Sequence, residues 1–257
     1  KIKPRGRETA KILWTIYVGI TALQIICLKI AGMETFDSIC HAFTTMPTGG
    51  FSTKNASIAY FDNPMIHYII IFFMFVAGVN FSLHFRAING GIKAYIKDVE
   101  FLVYLLITII VSLIIFISLF YIFDKQSDQL IGESLFGTIA ILTGTGYVLG
   151  DYELWPVFLQ LILLTLMFIG GMGGSTTGGM KVIRILLLAK YAALETRRML
   201  HSRALLPVKI GKQYVKEDVV RNTLGFFLFF MSAFIKLSCL YEGKFNILII
   251  SNMIFFV

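Results

Sequence analysis

Charge is what this sequence has least of. Only 15% of its 257 residues are Asp, Glu, Lys or Arg, against about a quarter in ordinary soluble domains. With 57% hydrophobic residues, 24 phenylalanines and a mean hydropathy of +0.79, that scarcity excludes a soluble globule. Cysteine is rare as well. Cys27, Cys40 and Cys239 have no short spacing, and no His/Cys/Asp/Glu cluster stands at metal-ligating distance along the chain. No nucleophile, base and orienting group can be read together, so the sequence does not look like an enzyme. An initial methionine is also missing, since the chain begins at Lys1, and a fragment of a longer protein is expected.

What the sequence does have is long apolar runs. Residues 12–31, 65–83, 101–123, 155 to about 172 and 219 to about 240 are each near the roughly 20 residues that cross a bilayer. The expectation is an all-α, polytopic membrane protein. Tyr68, Tyr121 and Trp155 fall near the expected interfaces, where amphipathic rings are favoured.

The net charge of +8 would suit nucleic acid, but its placement argues against that partner. Eighteen of the 23 basic residues lie in three segments: before the first run (Lys1, Lys3, Arg5, Arg7, Lys11), before the third (Arg86, Lys93, Lys97), and from Lys181 to Arg221. The intervening loops carry Glu34, Asp37, Asp62, Asp124, Asp128, Glu133, Asp151 and Glu153, with Lys54 and Lys125 as their bases. Basic loops stay in the cytoplasm. The N-terminus, and the segment that follows residue 181, are therefore expected inside.

Two outer loops share an odd design. Each holds a half-apolar stretch too short to span, residues 34–46 and 128–142, followed by a Thr/Gly cluster: "TMPTGGF" and "LTGTGYV". A polar loop and a proline (Pro64, Pro156) then lead into the next run. This is a tandem repeat of helix, half-helix, Thr/Gly loop and helix. Both copies start and end inside, so they are parallel repeats. Repeat boundaries are expected at 1–97 and 98–216, with 217–257 beginning a further, incomplete repeat.

Irregular backbone at membrane depth is tolerated only where it lines water or is buried in protein. A half-helix ending in glycine-rich backbone solves this if its carbonyls face a cation, which the negative helix terminus also favours. Glycine lets consecutive carbonyls point to one side, because φ is free to go positive. Threonine adds a hydroxyl oxygen. A ring of such oxygens can replace the hydration shell of K⁺. Neither cluster holds a carboxylate, which disfavours Mg²⁺ or Ca²⁺. The alternative is a pair of ordinary turns in a membrane enzyme or scaffold.

A second cluster, "FIGGMGGSTTGGMKVIR", interrupts the fourth run. It is not a phosphate-binding loop, since no Lys-Ser/Thr pair follows its glycines and no strand precedes it. It reads either as a broken helix that can swing into a permeation path or as a flexible kink with small-residue packing. His84 reads as an interfacial side chain. Asn80, inside the second run, reads as a hydrogen-bonding group across helices.

In order along the chain, "TTMPTGGFST", "FMFVAGVNFSLHFRA", "LTGTGY", "DYELWP" and "MFIGGMGGSTTGGMKVIRILLL" resemble the TrkH/KtrB superfamily of K⁺ transporter subunits. The resemblance implies four pseudo-repeats around one pore, of which this chain resembles the second and third. It places Thr48, Gly49, Gly50, Phe51, Thr143, Gly144, Thr145, Gly146 and Tyr147 in K⁺-coordinating filter loops. Pro47 and Gly144 depart from the family pattern there. Gly170, Gly171, Gly173, Gly174, Ser175, Thr176, Thr177, Gly178, Gly179 and Lys181 fall on an intramembrane gating loop.

The transported ion would be K⁺, with no other cofactor and with Na⁺ or H⁺ coupling left open. The implied partners are a cytosolic ring of nucleotide-binding regulatory subunits, a second copy in a homodimer, and membrane lipid. Residues 190–216 offer a basic docking face. The implied location is the plasma (inner) membrane. A truncation without function of its own is the remaining alternative.

Overall fold

The computed structural model describes residues 4–122, 127–200, 208–211 and 213–240. Helices run α1 Pro4–Ile30, α2 Thr35–Thr45, α3 Pro64–Ala77, α4 Phe81–Gly90, α5 Lys93–Lys97, α6 Val99–Ile122, α7 Ser127–Leu142, α8 Val157–Ile169, α9 Val182–Leu200 and α10 Glu217–Leu240. A two-residue hairpin, β1 Lys209–Ile210 with β2 Gln213–Tyr214, joins α9 to α10 and is the one non-helical addition to the expected all-α fold among the described residues. Residues 241–257, the remainder of the expected further repeat, lie outside the described residues.

Two successions have the same order: long helix, short helix, irregular loop with a 3₁₀ turn, and a broken helix. The first is α1, α2, Ser57–Tyr60 and α3/α4. The second is α6, α7, Tyr152–Leu154 and α8/α9. Among the described residues Arg7–Ile30, Val99–Ile122 and Glu217–Lys236 are long and apolar enough to cross a membrane, and α3 and α4 together pass the same test as a bent pair, a broken span or a re-entrant loop. The protein is a multi-pass membrane protein. Apolar side chains such as Trp14, Leu106, Leu113 and Phe229 stay exposed on the long helices, as a lipid solvent allows.

The second apolar run is not one straight span. It ends at Ala77 and turns by 97° into α4. At about 1.5 Å per residue, the 14 residues of α3 rise about 21 Å, short of the roughly 30 Å hydrocarbon core. Gly78 is the cause. Any side chain there would run into the Tyr104 hydroxyl, with the ring carbon behind it 2.9 Å away. Tyr104 is fully buried on α6, donates to the Phe75 carbonyl at 3.3 Å and stacks on the Phe75 ring.

A helix end inside a membrane leaves carbonyls that must find donors, and each here does. His84 Nε2 donates to Val76 O at 3.0 Å, and its Nδ1 accepts from the Tyr95 hydroxyl at 2.7 Å. Ala77 O accepts from the Thr176 hydroxyl, and Gly78 O from the Met172 amide. His84 is therefore buried, with both ring nitrogens bonded. Asn80 does not bridge helices. Its Oδ1 caps α4 by accepting from Ser82 N at 2.8 Å. Trp155 is also buried, edge-on against Tyr152.

The two successions share their core. Leu28, Ile70 and Met74 of the first pack with Phe136, Ile139 and Tyr147 of the second. A larger cluster gathers α6, α7, α8 and α10 around Ile115, Leu142, Leu163 and Phe230. The short helix α7 is thus held inside, and the loops that leave α2 and α7 are brought side by side, with Gly50 against Thr145.

Candidate functional site

The site begins where α2 and α7 stop. In the first loop the amides of Gly49 and Gly50 both return to Thr44 O, and that of Thr48 to Thr45 O. In the second, Gly144 and Gly146 return to Ile141 O and Ala140 O. These main-chain donors therefore face the helix ends. The main-chain carbonyls of residues 48–51 and 143–147 accept no hydrogen bond from any described residue.

Backbone dihedrals explain how. Thr48 and Gly50 have φ of 58° and 66°, and Gly144 and Gly146 have φ of 70° and 73°. Left-handed residues alternate with ordinary ones in both loops, in one register: Thr48 with Gly144, Gly50 with Gly146, Phe51 with Tyr147. Thr48 is the exception to glycine, and its side chain is held at two points. Its hydroxyl lies 2.7 Å from Pro47 O and 3.2 Å from Thr176 O.

The loops touch each other. A methyl group built on Gly50 would collide with the carbonyl of Thr145. Thr143 and Thr145 are buried, and their hydroxyls lie 2.8 Å apart.

The two aromatic positions part company. Phe51 is 76% exposed, whereas Tyr147 is fully buried. The Tyr147 hydroxyl crosses to α2, 2.7 Å from Thr44 Oγ1 and 3.2 Å from Thr45 Oγ1. Both threonine hydroxyls already donate to carbonyls one turn back, at Cys40 and His41. The tyrosine is therefore the donor, to Thr44 first. Its side chain is a strut between the successions.

Behind α2 sits a second brace. His41, fully buried, donates from Nδ1 to Asp37 O at 2.7 Å and accepts at Nε2 from the Ser52 hydroxyl at 2.9 Å. Asp37 accepts from Thr53 at 2.7 Å and pairs with Lys54 at 3.3 Å. Burial would raise the Asp37 carboxyl, but these two partners outweigh it and hold it below the usual carboxylate range. The chain leaving the first loop is thus tied to the helix that entered it.

The Gly-rich segment between α8 and α9 folds into a closed bend. Gly170, Gly174 and Gly179 have φ of 75°, 79° and 75°. Gly170 lies against the Gly178 carbonyl and the Gly179 Cα, so neither wall has room for a side chain. Met180 N donates to Phe168 O and Val182 N to Gly171 O. Lys181 turns inward, its ammonium donating to the Thr177 carbonyl, with the Thr177 hydroxyl at 3.0 Å and that of Ser175 at 3.5 Å.

The tip of the bend reaches the first loop. The Thr176 hydroxyl sits 2.8 Å from Met46 O and 3.3 Å from Ala77 O, and Gly174 O accepts from Phe81 N at 3.2 Å. Gly173, Ser175 and Thr177 complete the bend between these anchors. The structure therefore brings all three segments picked out in the sequence into one contiguous assembly. It adds residues to which sequence reasoning gave no role: His41, Thr44, Thr45, Gly78 and Tyr104. A glycine followed by an asparagine within an apolar run was the available signal for the break at Gly78. No comparable signal marked Thr44 or Tyr104.

A family described as TrkH, cation transport protein, matches residues 1–250. The chain is 39% identical over 238 residues to the Trk system potassium uptake protein TrkH of Salmonella typhimurium, covering 91% of this chain and 49% of that protein. It is 41% identical over 239 residues to the protein of the same name from Vibrio parahaemolyticus, with the same coverage. The crystal structure of the potassium transporter TrkH from Vibrio parahaemolyticus superposes with a TM-score of 0.89 at 36% identity, over 98% of this chain and 57% of that one. The chain spans about half the length of the curated relatives it matches.

Proposed function

The chain belongs to the TrkH family of cation transport proteins, and from that premise we propose that it forms two of the pore-lining repeats of a K⁺ uptake subunit. One observation carries the reading. Two adjacent loops at the inner ends of short helices turn their amides away and leave their carbonyls without protein donors. Carbonyl oxygens in such numbers, with no carboxylate among them, suit a dehydrated monovalent cation better than Mg²⁺ or Ca²⁺. The helix C-termini that aim at the same point add a favourable partial negative charge. Thr48, Gly49, Gly50 and Phe51 would supply the first set of oxygens, and Thr143, Gly144, Thr145, Gly146 and Tyr147 the second.

In this reading the 170–181 bend is the gate. It sits against the first filter loop through Thr176 and Thr48, so conduction requires it to move. The subunit lies in the plasma (inner) membrane with its N-terminus in the cytoplasm, following the basic segments. It pairs as a homodimer and is driven by a cytosolic nucleotide-binding ring that meets the basic face of residues 190–216. Part of that face is already occupied: Lys190 donates to Lys209 O, and Arg198 pairs with Glu195 at 2.7 Å. Residues 201–207 of it lie outside the described residues.

The test is Rb⁺ uptake by K⁺-uptake-deficient cells that express the full-length gene. Uptake well above the empty-vector level is expected. No uptake by protein shown to be inserted in the membrane overturns the reading. Tyr147→Phe refines it. The strut is lost but no buried donor is orphaned, because Thr44 and Thr45 keep their own acceptors. The cost is about 1 kcal/mol, and Rb⁺-over-Na⁺ preference should fall roughly fivefold while membrane insertion is unchanged. An unaltered preference would mean that the strut does not set filter geometry.

A further inference from the structure

The bend is held at two places that differ in kind. Its tip and the residue before Gly173 bond to the first succession through neutral groups: Thr176 to Met46 O and Ala77 O, Gly174 O to Phe81 N, and Met172 N to Gly78 O. Its feet bond to the second succession through a carboxylate. Glu100, in the first turn of α6, accepts at the single atom Oε1 from Gly173 N at 2.6 Å and from Ile183 N at 3.1 Å. These two amides lie ten positions apart: Gly173 comes before the tip within the bend, and Ile183 follows the bend in the first turn of α9.

Glu100 is itself well placed to do this. Asp98 Oδ1 accepts from the amides of Glu100 and Phe101, fixing the start of α6, and Asp98 Oδ2 pairs with Arg86 of α4 at 3.1 Å. Ile183 is in the first turn of the 19-residue α9, where amides are unpartnered and the helix dipole favours an anion. Hydrogen bonds to an ionised carboxylate are stronger than those between neutral groups. When the bend is pulled, its tip should release before its feet.

We propose that Glu100 is the positioning residue of the gate, stapling the two feet of the bend so that it moves as a closed flap on a fixed base instead of unwinding. The proposal rests on the reading of the bend as a gate. It assigns Glu100 no contact with the ion. A glutamine at this position keeps an oxygen acceptor for both amides, and an alanine keeps none.

The experiment uses the full-length subunit in lipid, with Glu100→Gln and Glu100→Ala. Two quantities are followed: hydrogen–deuterium exchange of peptides containing Gly173 and Ile183, and Rb⁺ leak without the regulatory partner. In the wild type both peptides should stay protected in the resting and the activated state. Glu100→Ala should speed exchange there at least about tenfold and raise the leak about tenfold. Glu100→Gln, which keeps the acceptor but not the charge, should fall between wild type and Glu100→Ala on both. Unchanged exchange and leak in Glu100→Ala overturn the proposal, as does loss of protection in the activated wild type. If Glu100→Ala fails to insert, the wild-type comparison between states and the glutamine variant decide. If the wild type carries no Rb⁺, the transport reading fails, while exchange in Glu100→Ala still tests the staple.

Discussion

Replacing Gly50 by alanine should abolish measurable K⁺ transport, whereas replacing its neighbour Gly49 should leave most of it. The two glycines are adjacent in sequence and identical in composition, so only their surroundings separate them. At Gly50 an added methyl meets the Thr145 carbonyl of the other loop, and φ is 66°. The obstacle is backbone held by α7, not the far end of a flexible side chain. A left-handed alanine costs about 1–2 kcal/mol before any collision, and relieving the collision requires the two loops to separate. At Gly49 the same methyl finds its nearest neighbours at 3.6 Å and 3.7 Å, an ordinary contact, with no left-handed φ. Rb⁺ uptake by the full-length protein should fall roughly a hundredfold or more for Gly50→Ala, about 3 kcal/mol. It should change less than about threefold for Gly49→Ala. Equal tolerance of both substitutions would show that the loops do not meet at Gly50 in the conducting state.

Thr176→Val should open the gate. Valine matches threonine in shape but removes the hydroxyl that lies between Met46 O and Ala77 O. Those carbonyls belong to the ends of α2 and α3, so the lost donor weakens the seat of the bend without touching its feet at Glu100. Leaving buried acceptors unmatched costs about 1–3 kcal/mol, which favours detachment of the tip by about five- to 150-fold. Rb⁺ uptake without the regulatory partner should rise about tenfold, and the dependence on that partner should shrink in proportion. The Thr48 hydroxyl still reaches the Thr176 carbonyl, so the first filter loop keeps one of its ties. Uptake that falls below wild type would mean that the Thr176 contact serves the filter and not the gate.

The main elements could be read from the residues. Five apolar runs, two half-apolar stretches ending in Thr/Gly clusters, and a fourth run interrupted by six glycines correspond to α1, α3, α6, α8, α10, the short helices α2 and α7, and the bend between α8 and α9. Such features depend on local composition, so a one-dimensional reading finds them. The break in the second run escaped that reading. Residues on both sides of Gly78 are apolar, and hydropathy alone cannot distinguish a continuous helix from two halves at 97°. What ends α3 comes from elsewhere: Tyr104 from α6, Thr176 from the bend and His84 from α4.

Tyr147 makes the same point within a single motif. Its place beside Gly146 gave it a role with the ion, yet its side chain is buried against Thr44, about a hundred positions earlier in the chain. Phe51, its counterpart in the other loop, lies open. The pattern of residues located both loops but could not separate the two rings, because that difference depends on which helix end lies behind each one.

The sequence by itself determined that this is a membrane protein, where its helices run, and where its backbone must be irregular, because solvation and local propensity act over neighbouring residues. The tertiary structure alone decided which irregular segments meet and which carbonyls are left without donors. Those outcomes depend on groups far apart in the chain, such as Gly50 with Thr145, Thr176 with Met46 and Glu100 with Gly173 and Ile183, that come within hydrogen-bonding or van der Waals range only after the helices have packed.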